Sequence, residues 1–158
     1  MDRVDASLIA LRRILRATEK FRRELAASAG LTAAQFRVLQ VVAEKKSCTA
    51  TEISQQMRIS QATVTSLVDK LVRQRMLVRE KSELDRRQTN IIVTEVGEKT
   101  IEEAPDALQQ RYVRKFNEMD DWEQAFLVAA LERVAAMFDA ADLDAAPVLD
   151  TGDFKDAT

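Results

Sequence analysis

Residues 59–94, ISQATVTSLVDKLVRQRMLVREKSELDRRQTNIIVT, decide the fold. Ser60 stands where a helix N-cap belongs, because its hydroxyl can take up one of the amides that the first helical turn leaves unpaired. After it, Val64, Leu67, Val68 and Leu71 recur at i, i+3, i+4 and i+7, which puts four apolar side chains on one helix face. That turns Gln61, Ala62, Thr65, Ser66, Asp69 and Arg73 outward, with Thr63 and Lys70 at the margins. Met76-Leu77-Val78-Arg79 and Thr89-Asn90-Ile91-Ile92-Val93 then read as two short antiparallel strands. The charged stretch between them, Glu80 to Gln88, carries Arg86 and Arg87 near its tip.

The flanking sequence reads as further helices with legible starts. Over roughly Asp5 to Ser28, Leu8, Leu11, Ile14, Leu15, Phe21 and Leu25 form an apolar stripe, and Gly30 suits the left-handed residue that ends a helix. Thr32-Ala-Ala-Gln35 is a capping box, with Leu31 and Phe36 at the hydrophobic-staple positions around it. The helix it opens, through about Glu44, is expected to bury Phe36, Leu39, Val42 and Ala43. A second box, Thr49-Ala-Thr-Glu52, starts a short helix containing Ile53 and Met57. Cys48 precedes that cap at staple distance from Ile53, so it reads as a small buried hydrophobe, not as a redox sensor. Ile59 and Val64 repeat the staple around Ser60. Three separately capped helices, the third directly after a tight turn, form the helix-turn-helix pattern, although a generic three-helix bundle has the same periodicity.

Composition narrows the function classes. With 158 residues, 3 Gly and 2 Pro, the chain suits one mainly helical domain, not a sandwich or barrel. It has no histidine and a single cysteine, which removes His-dependent nucleophilic catalysis, His-ligated zinc and four-thiolate zinc sites. No phosphate-binding glycine motif is present, so neither a catalytic residue nor a cofactor nor a metal is expected. The first residues lack the apolar core of a signal peptide, and no apolar run reaches the length of a membrane span. A cytoplasmic protein is therefore expected. Net charge is −2, but residues 58–87 hold eight Lys/Arg against four Asp/Glu, a local +4. Residues 117–158 hold eleven acidic against two basic residues, a local −9. The local field, not the sum, acts on phosphate, so the acidic average does not exclude nucleic acid.

The residues then point to DNA. Gln61, Ala62, Thr65 and Ser66 are small or hydrogen-bonding, as a helix needs if it is to descend onto base edges in the major groove. An ordinary solvated face would carry more Glu and Lys. Arginines at a hairpin tip suit the narrow minor groove beside it, whereas Asp85 is placed to restrain the loop, since a carboxylate repels phosphate.

Leu31-Thr32-x-x-Gln35-Phe36-x-Val38-Leu39, Ser60-x-x-Thr63-Val64-Thr65-x-Leu67-Val68-Asp69-x-Leu71, and Asp85-Arg86-Arg87 leading to Val93-Thr94-x-x-Gly97 resemble the MarR family of winged-helix transcriptional regulators. The resemblance spans roughly residues 8 to 141. It implies a mainly α fold with a small β-hairpin wing. It also implies a homodimer whose N- and C-terminal helices interlock, each winged helix reading half of a pseudopalindromic operator in double-stranded DNA. On that pattern Ser60, Gln61, Ala62, Thr63, Thr65, Ser66 and Arg73 line the DNA-facing helix, Arg86 and Arg87 form the wing-tip contact, and Asp85 orients the tip. The family is most often repressive, and its effector pocket lies between the dimer helices and the winged helix; no residue here names the effector. One departure stands out: Arg75 occupies a position where the family often has glycine, which puts the turn geometry there in question.

The C-terminal part supports dimerisation separately. A helix is expected from Thr94 to about Phe116, bent near Pro105, and a second from about Asp120. The second places Phe126, Val134 and Met137 on one seam with Leu127, Leu131 and Phe138 beside it. That face is too wide for one small winged helix to cover, so it is expected to pack on the first helix, at Leu8, Leu11 and Leu15, and on a partner subunit. Completion of an intramolecular core is the alternative. The expected division is 1–30 and 98–141 for dimerisation, 31–97 for the winged helix and 142–158 as an acidic tail. Leu11-Arg12-Arg13-Ile14-Leu15-Arg16-Ala17-Thr18, Trp122-Glu123-Gln124 and 144–150 also resemble the branch that regulates genes for ectoine and other compatible solutes, which implies an osmotic signal. A winged-helix module for protein interaction, without operator recognition, is the other functional class compatible with these residues.

Overall fold

The computed structural model describes residues 2–104, 107–143 and 147–149. Among them are seven helices and three strands: α1 (Arg3–Ala29), α2 (Ala33–Lys45), β1 (Ser47–Cys48), α3 (Ala50–Met57), α4 (Gln61–Arg73), β2 (Leu77–Lys81), β3 (Thr89–Val93), α5 (Glu95–Glu103), α6 (Leu108–Asn117) and α7 (Asp121–Met137). The chain forms two compact units, with α1 to α5 in one and α6 and α7 in the other. This is the mainly helical winged-helix class expected.

Capping sets the helix starts. Thr32 Oγ1 accepts from the Gln35 amide at 3.2 Å, and Gln35 Oε1 accepts from the Thr32 amide at 3.0 Å. Thr49 and Glu52 repeat the arrangement at the start of α3. Each such cap contributes about 1 kcal/mol. Gly30 ends α1 with φ +66°, the left-handed geometry expected of it.

The core lies where α2, α3, α4 and the sheet meet: Leu39, Val42, Ile53, Leu67, Leu71 and Leu77 are fully enclosed. One burial expectation is corrected here. α2 is not one-sided, because it packs against α3, α4, α5 and the strands β1 and β3. Gln35, Val38 and Val41 are therefore buried as well, while Ala43 is only half-buried. The α1 stripe is buried at Phe21 and Leu25, but Leu8, Ile14 and Leu15 remain exposed.

The wing also holds more than a hairpin. β2 and β3 pair antiparallel from Leu77 opposite Val93 to Lys81 opposite Thr89, and β1 joins the free edge of β3 through Ser47 opposite Ile92 and Cys48 opposite Ile91. Two residues are too few to show an alternating pattern, so this strand has no sequence periodicity.

Two local features fix the link between α4 and the wing. Arg75 adopts the left-handed region, φ +63°, despite its side chain. Its amide donates to the Val72 carbonyl and the Met76 amide to the Leu71 carbonyl, both at 2.9 Å, which is the Schellman closure of a helix end. The Thr94 hydroxyl donates to the Arg75 carbonyl at 2.6 Å and accepts from the Gly97 amide at 3.1 Å, tying the end of β3 to that turn. A Cβ at Gly97 would collide with the Met76 carbonyl oxygen and the Val93 side chain, which accounts for glycine there.

The helix expected from Thr94 to Phe116 is instead two helices. α5 stops at Glu103, and Ala104 turns extended, φ −67° and ψ 150°, because the residue before a proline is disfavoured in the helical region. Pro105 itself, and most of the acidic tail, lie outside the described residues. In the second unit α7 starts where expected, with the Asp120 amide donating to Glu123 Oε2 at 2.9 Å.

Candidate nucleic-acid interface

The burial of Val64, Leu67, Val68 and Leu71 leaves the opposite edge of α4 to solvent. Gln61, Ala62, Thr65 and Arg73 are exposed there, and Thr63, Ser66, Asp69 and Lys70 are half-buried beside them. The hydroxyls are already organised. Ser60 Oγ accepts from the Thr63 amide at 3.1 Å and shares a hydrogen bond with Thr63 Oγ1 at 2.8 Å. Thr65 Oγ1 donates to the Gln61 carbonyl at 3.0 Å. Thr65 and Ser60 thus hold backbone, and the Gln61 side chain reaches across to α3, where Nε2 donates to Thr51 Oγ1 at 3.2 Å.

The loop after β2 is closed by its own backbone. Ser82 and Gln88 bridge its neck, the Ser82 amide donating to the Gln88 carbonyl at 2.9 Å. Asp85 Oδ1 accepts from the Arg87 amide at 3.0 Å, and the Asp85 carbonyl accepts from the Gln88 amide at 2.9 Å. The carboxylate therefore sits on the loop backbone, while the Arg86 and Arg87 side chains are exposed at the tip.

Two functional contacts had no signal in the sequence. Asp69, expected simply to face outward, is ion-paired with Arg79 of β2, so the helix and the wing are joined by a charge-assisted bond. The pair also neutralises the Asp69 carboxylate. Thr51 is the second, through its bond to Gln61. Neither can be read from local spacing, since each partner lies ten residues away on another element. Below the pair, a cleft of about 260 Å³ opens between α3, α4 and the base of the wing, lined among others by Thr65, Val68, Asp69, Arg79 and Ile91.

Cys48 is buried as expected. Burial, reinforced by the Glu52 carboxylate, pushes its thiol pKa up, away from the thiolate that oxidant chemistry requires.

A helix with an exposed, hydroxyl-rich edge beside an arginine-tipped wing can then be set against known proteins. Residues 29–88 match the MarR family model. The chain is 28% identical over 109 residues to the HTH-type transcriptional repressor MdtR of Bacillus subtilis (strain 168), covering 67% of this chain and 70% of that protein. A MepR-like protein complexed with pseudoligands superposes with a TM-score of 0.58 at 23% identity, covering 87% of this chain and 97% of the other. A MepR mutant from S. aureus bound to an oligodeoxyribonucleotide superposes with a TM-score of 0.57 at 18% identity, covering 84% and 97%. The family model thus covers residues 29–88, and the solved structures share the fold. Among the described residues no single helix is long and apolar enough to cross a membrane.

Proposed function

We propose that this chain is a cytoplasmic, sequence-specific DNA-binding regulator, a ligand- or stress-responsive repressor that binds a pseudopalindromic operator as a homodimer. The observation that carries this reading is the pairing of two unlike surfaces on one rigid frame. A small, hydroxyl-rich helix edge from Ser60 to Ser66 suits base edges, and the exposed Arg86 and Arg87 beside it suit the minor groove. Asp85 orients the tip by holding the Arg87 amide. Arg73, exposed in the last turn of α4, is assigned to the phosphate backbone.

The dimer is supported by apolar surface left open in the chain. Leu8, Leu15, Phe126, Leu131, Met137 and Phe138 are all about half or more exposed, and Leu11, Leu127 and Val134 are half-buried. Exposed large apolar side chains in such number suit an association surface. On this reading residues 1–30 and 98–141 dimerise and 31–97 read DNA. The short likeness to regulators of compatible-solute genes assigns osmolyte genes as targets and a salt-linked signal; part of that likeness, in 144–150, lies outside the described residues. The nature of the effector is left to the genes found under its control.

The test is selection of an operator from random duplexes, followed by binding at several salt concentrations. Replacing Arg86 and Arg87 by alanine is expected to weaken binding and reduce the salt slope by about one for each phosphate that is no longer neutralised. Undiminished binding by the double variant would sink the wing assignment. Failure of the wild type to prefer any sequence at physiological salt would favour a protein-interaction module instead.

A further inference from the structure

Thr51 belongs to the first turn of α3, outside the reading helix, yet it holds the first side chain of that helix. An exposed glutamine ordinarily samples many rotamers, and ordering it on binding opposes recognition. Here Gln61 Nε2 donates one of its two protons to Thr51 Oγ1 at 3.2 Å. Threonine has few χ1 rotamers in a helix, so its hydroxyl is a short, restricted anchor for the amide. The Gln61 backbone is held too, its carbonyl accepting from Thr65 Oγ1 at 3.0 Å.

The chemistry left over is specific. With one N–H engaged, the amide still offers one N–H donor and the Oε1 acceptor at the exposed edge of α4. A donor beside an acceptor complements the N7 acceptor and N6 donor that adenine presents in the major groove. The neighbouring hydroxyls do not offer this pair: Ser60 and Thr63 are bonded to each other, and Thr65 donates to backbone. We propose that Thr51 is a positioning residue that orients the Gln61 amide to read adenine in an A·T pair, so that α3 sets part of the specificity of α4. The inference rests on the operator-reading function proposed above.

The experiment uses the full chain and the operator selected with it. Affinity is measured for duplexes that each change one base pair, with wild type, Thr51→Ala, Thr51→Ser, Gln61→Ala and the Thr51→Ala/Gln61→Ala double variant. Gln61→Ala is expected to erase an A·T preference of about 10- to 100-fold at one position. Thr51→Ala should reduce preference at that same position by about 3- to 10-fold, with Thr51→Ser restoring most of it. The double variant should be no worse than Gln61→Ala alone, because nothing remains to be positioned. Thr51 is exposed on a helix, where alanine is well tolerated, so an unchanged urea midpoint is expected to exclude a folding effect. If Thr51→Ala weakens every duplex equally, or alters a position that Gln61→Ala does not, the positioning role is overturned while operator reading stands. If the wild type selects no operator, both fall together.

Discussion

α4 and α7 are both apolar-rich helices, but they cover their apolar faces in different ways. In α4 the residues Val64, Leu67, Val68 and Leu71 are 0–1% exposed. In α7, which is longer, no residue is buried, and Phe126 and Met137 are 67% and 70% exposed. The pattern in the sequence already differs. The α4 face is a narrow stripe that one small core can cover, whereas α7 carries Phe126, Leu127, Leu131, Val134 and Met137 over a wide arc, with Phe138 just past its end. The narrow stripe is covered inside the chain, and the wide one is left largely exposed. The apolar face of α4 is thus covered from within its own unit, while that of α7 is open.

The comparison is broken most directly at Leu67. It is fully enclosed, so Leu67→Ala removes buried methyl groups and leaves a cavity in the core. A destabilisation of about 2–5 kcal/mol is expected, a large part of the stability of a domain, read as a lower urea midpoint by circular dichroism. A change under about 0.5 kcal/mol, the size of a neutral surface substitution, would show that α4 is not anchored as its burial implies.

The next largest effect belongs to α7. Phe126→Asp with Leu131→Asp places two charges on the face assigned to the dimer, and is expected to weaken self-association by at least about 100-fold, or about 2.7 kcal/mol. Sedimentation equilibrium of the full chain reads this directly: dimer for wild type, monomer for the variant at the same concentration. The circular dichroism of the winged helix should persist, because none of its core residues is touched. A variant that stays dimeric would remove α7 from the interface.

The same contrast explains what can be read from the sequence. Caps such as Thr32, Thr49 and Ser60 act over three or four residues, so the helices they start are visible in local spacing. Burial of the α4 stripe is equally legible, since its period is unambiguous. β1 is not, because Ser47 and Cys48 gain strand geometry only from the edge of β3, more than forty residues later. The break after Glu103 is sharper than the bend that Pro105 suggests in the sequence, since Ala104 leaves the helical region altogether. The site splits along the same line. Its outward residues follow from periodicity, but the contacts that organise them, Asp69 with Arg79 and Gln61 with Thr51, join side chains from different elements and have no local trace.

The smallest effect tests how far the reading unit is optimised. Its side chains are packed, so slack is sought in the backbone, where Arg75, like Lys46 and Arg58, has a positive φ without being glycine. A non-glycine residue in the left-handed region costs about 1–2 kcal/mol, whereas glycine adopts it freely. Glycine in turn loses more chain entropy on folding, by about 0.5–1 kcal/mol, which offsets part of the gain. Arg75→Gly is therefore expected to stabilise the fold by a few tenths to about 1 kcal/mol, the difference of those two effects. The Schellman bonds from the Arg75 and Met76 amides are backbone bonds and survive the change, as does the Thr94 hydroxyl on the residue 75 carbonyl. The urea midpoint should rise with its slope unchanged. A fall would mean that the arginine side chain supports the turn by more than its backbone strain, and that α4 is held at its C-terminal end by a contact outside the core.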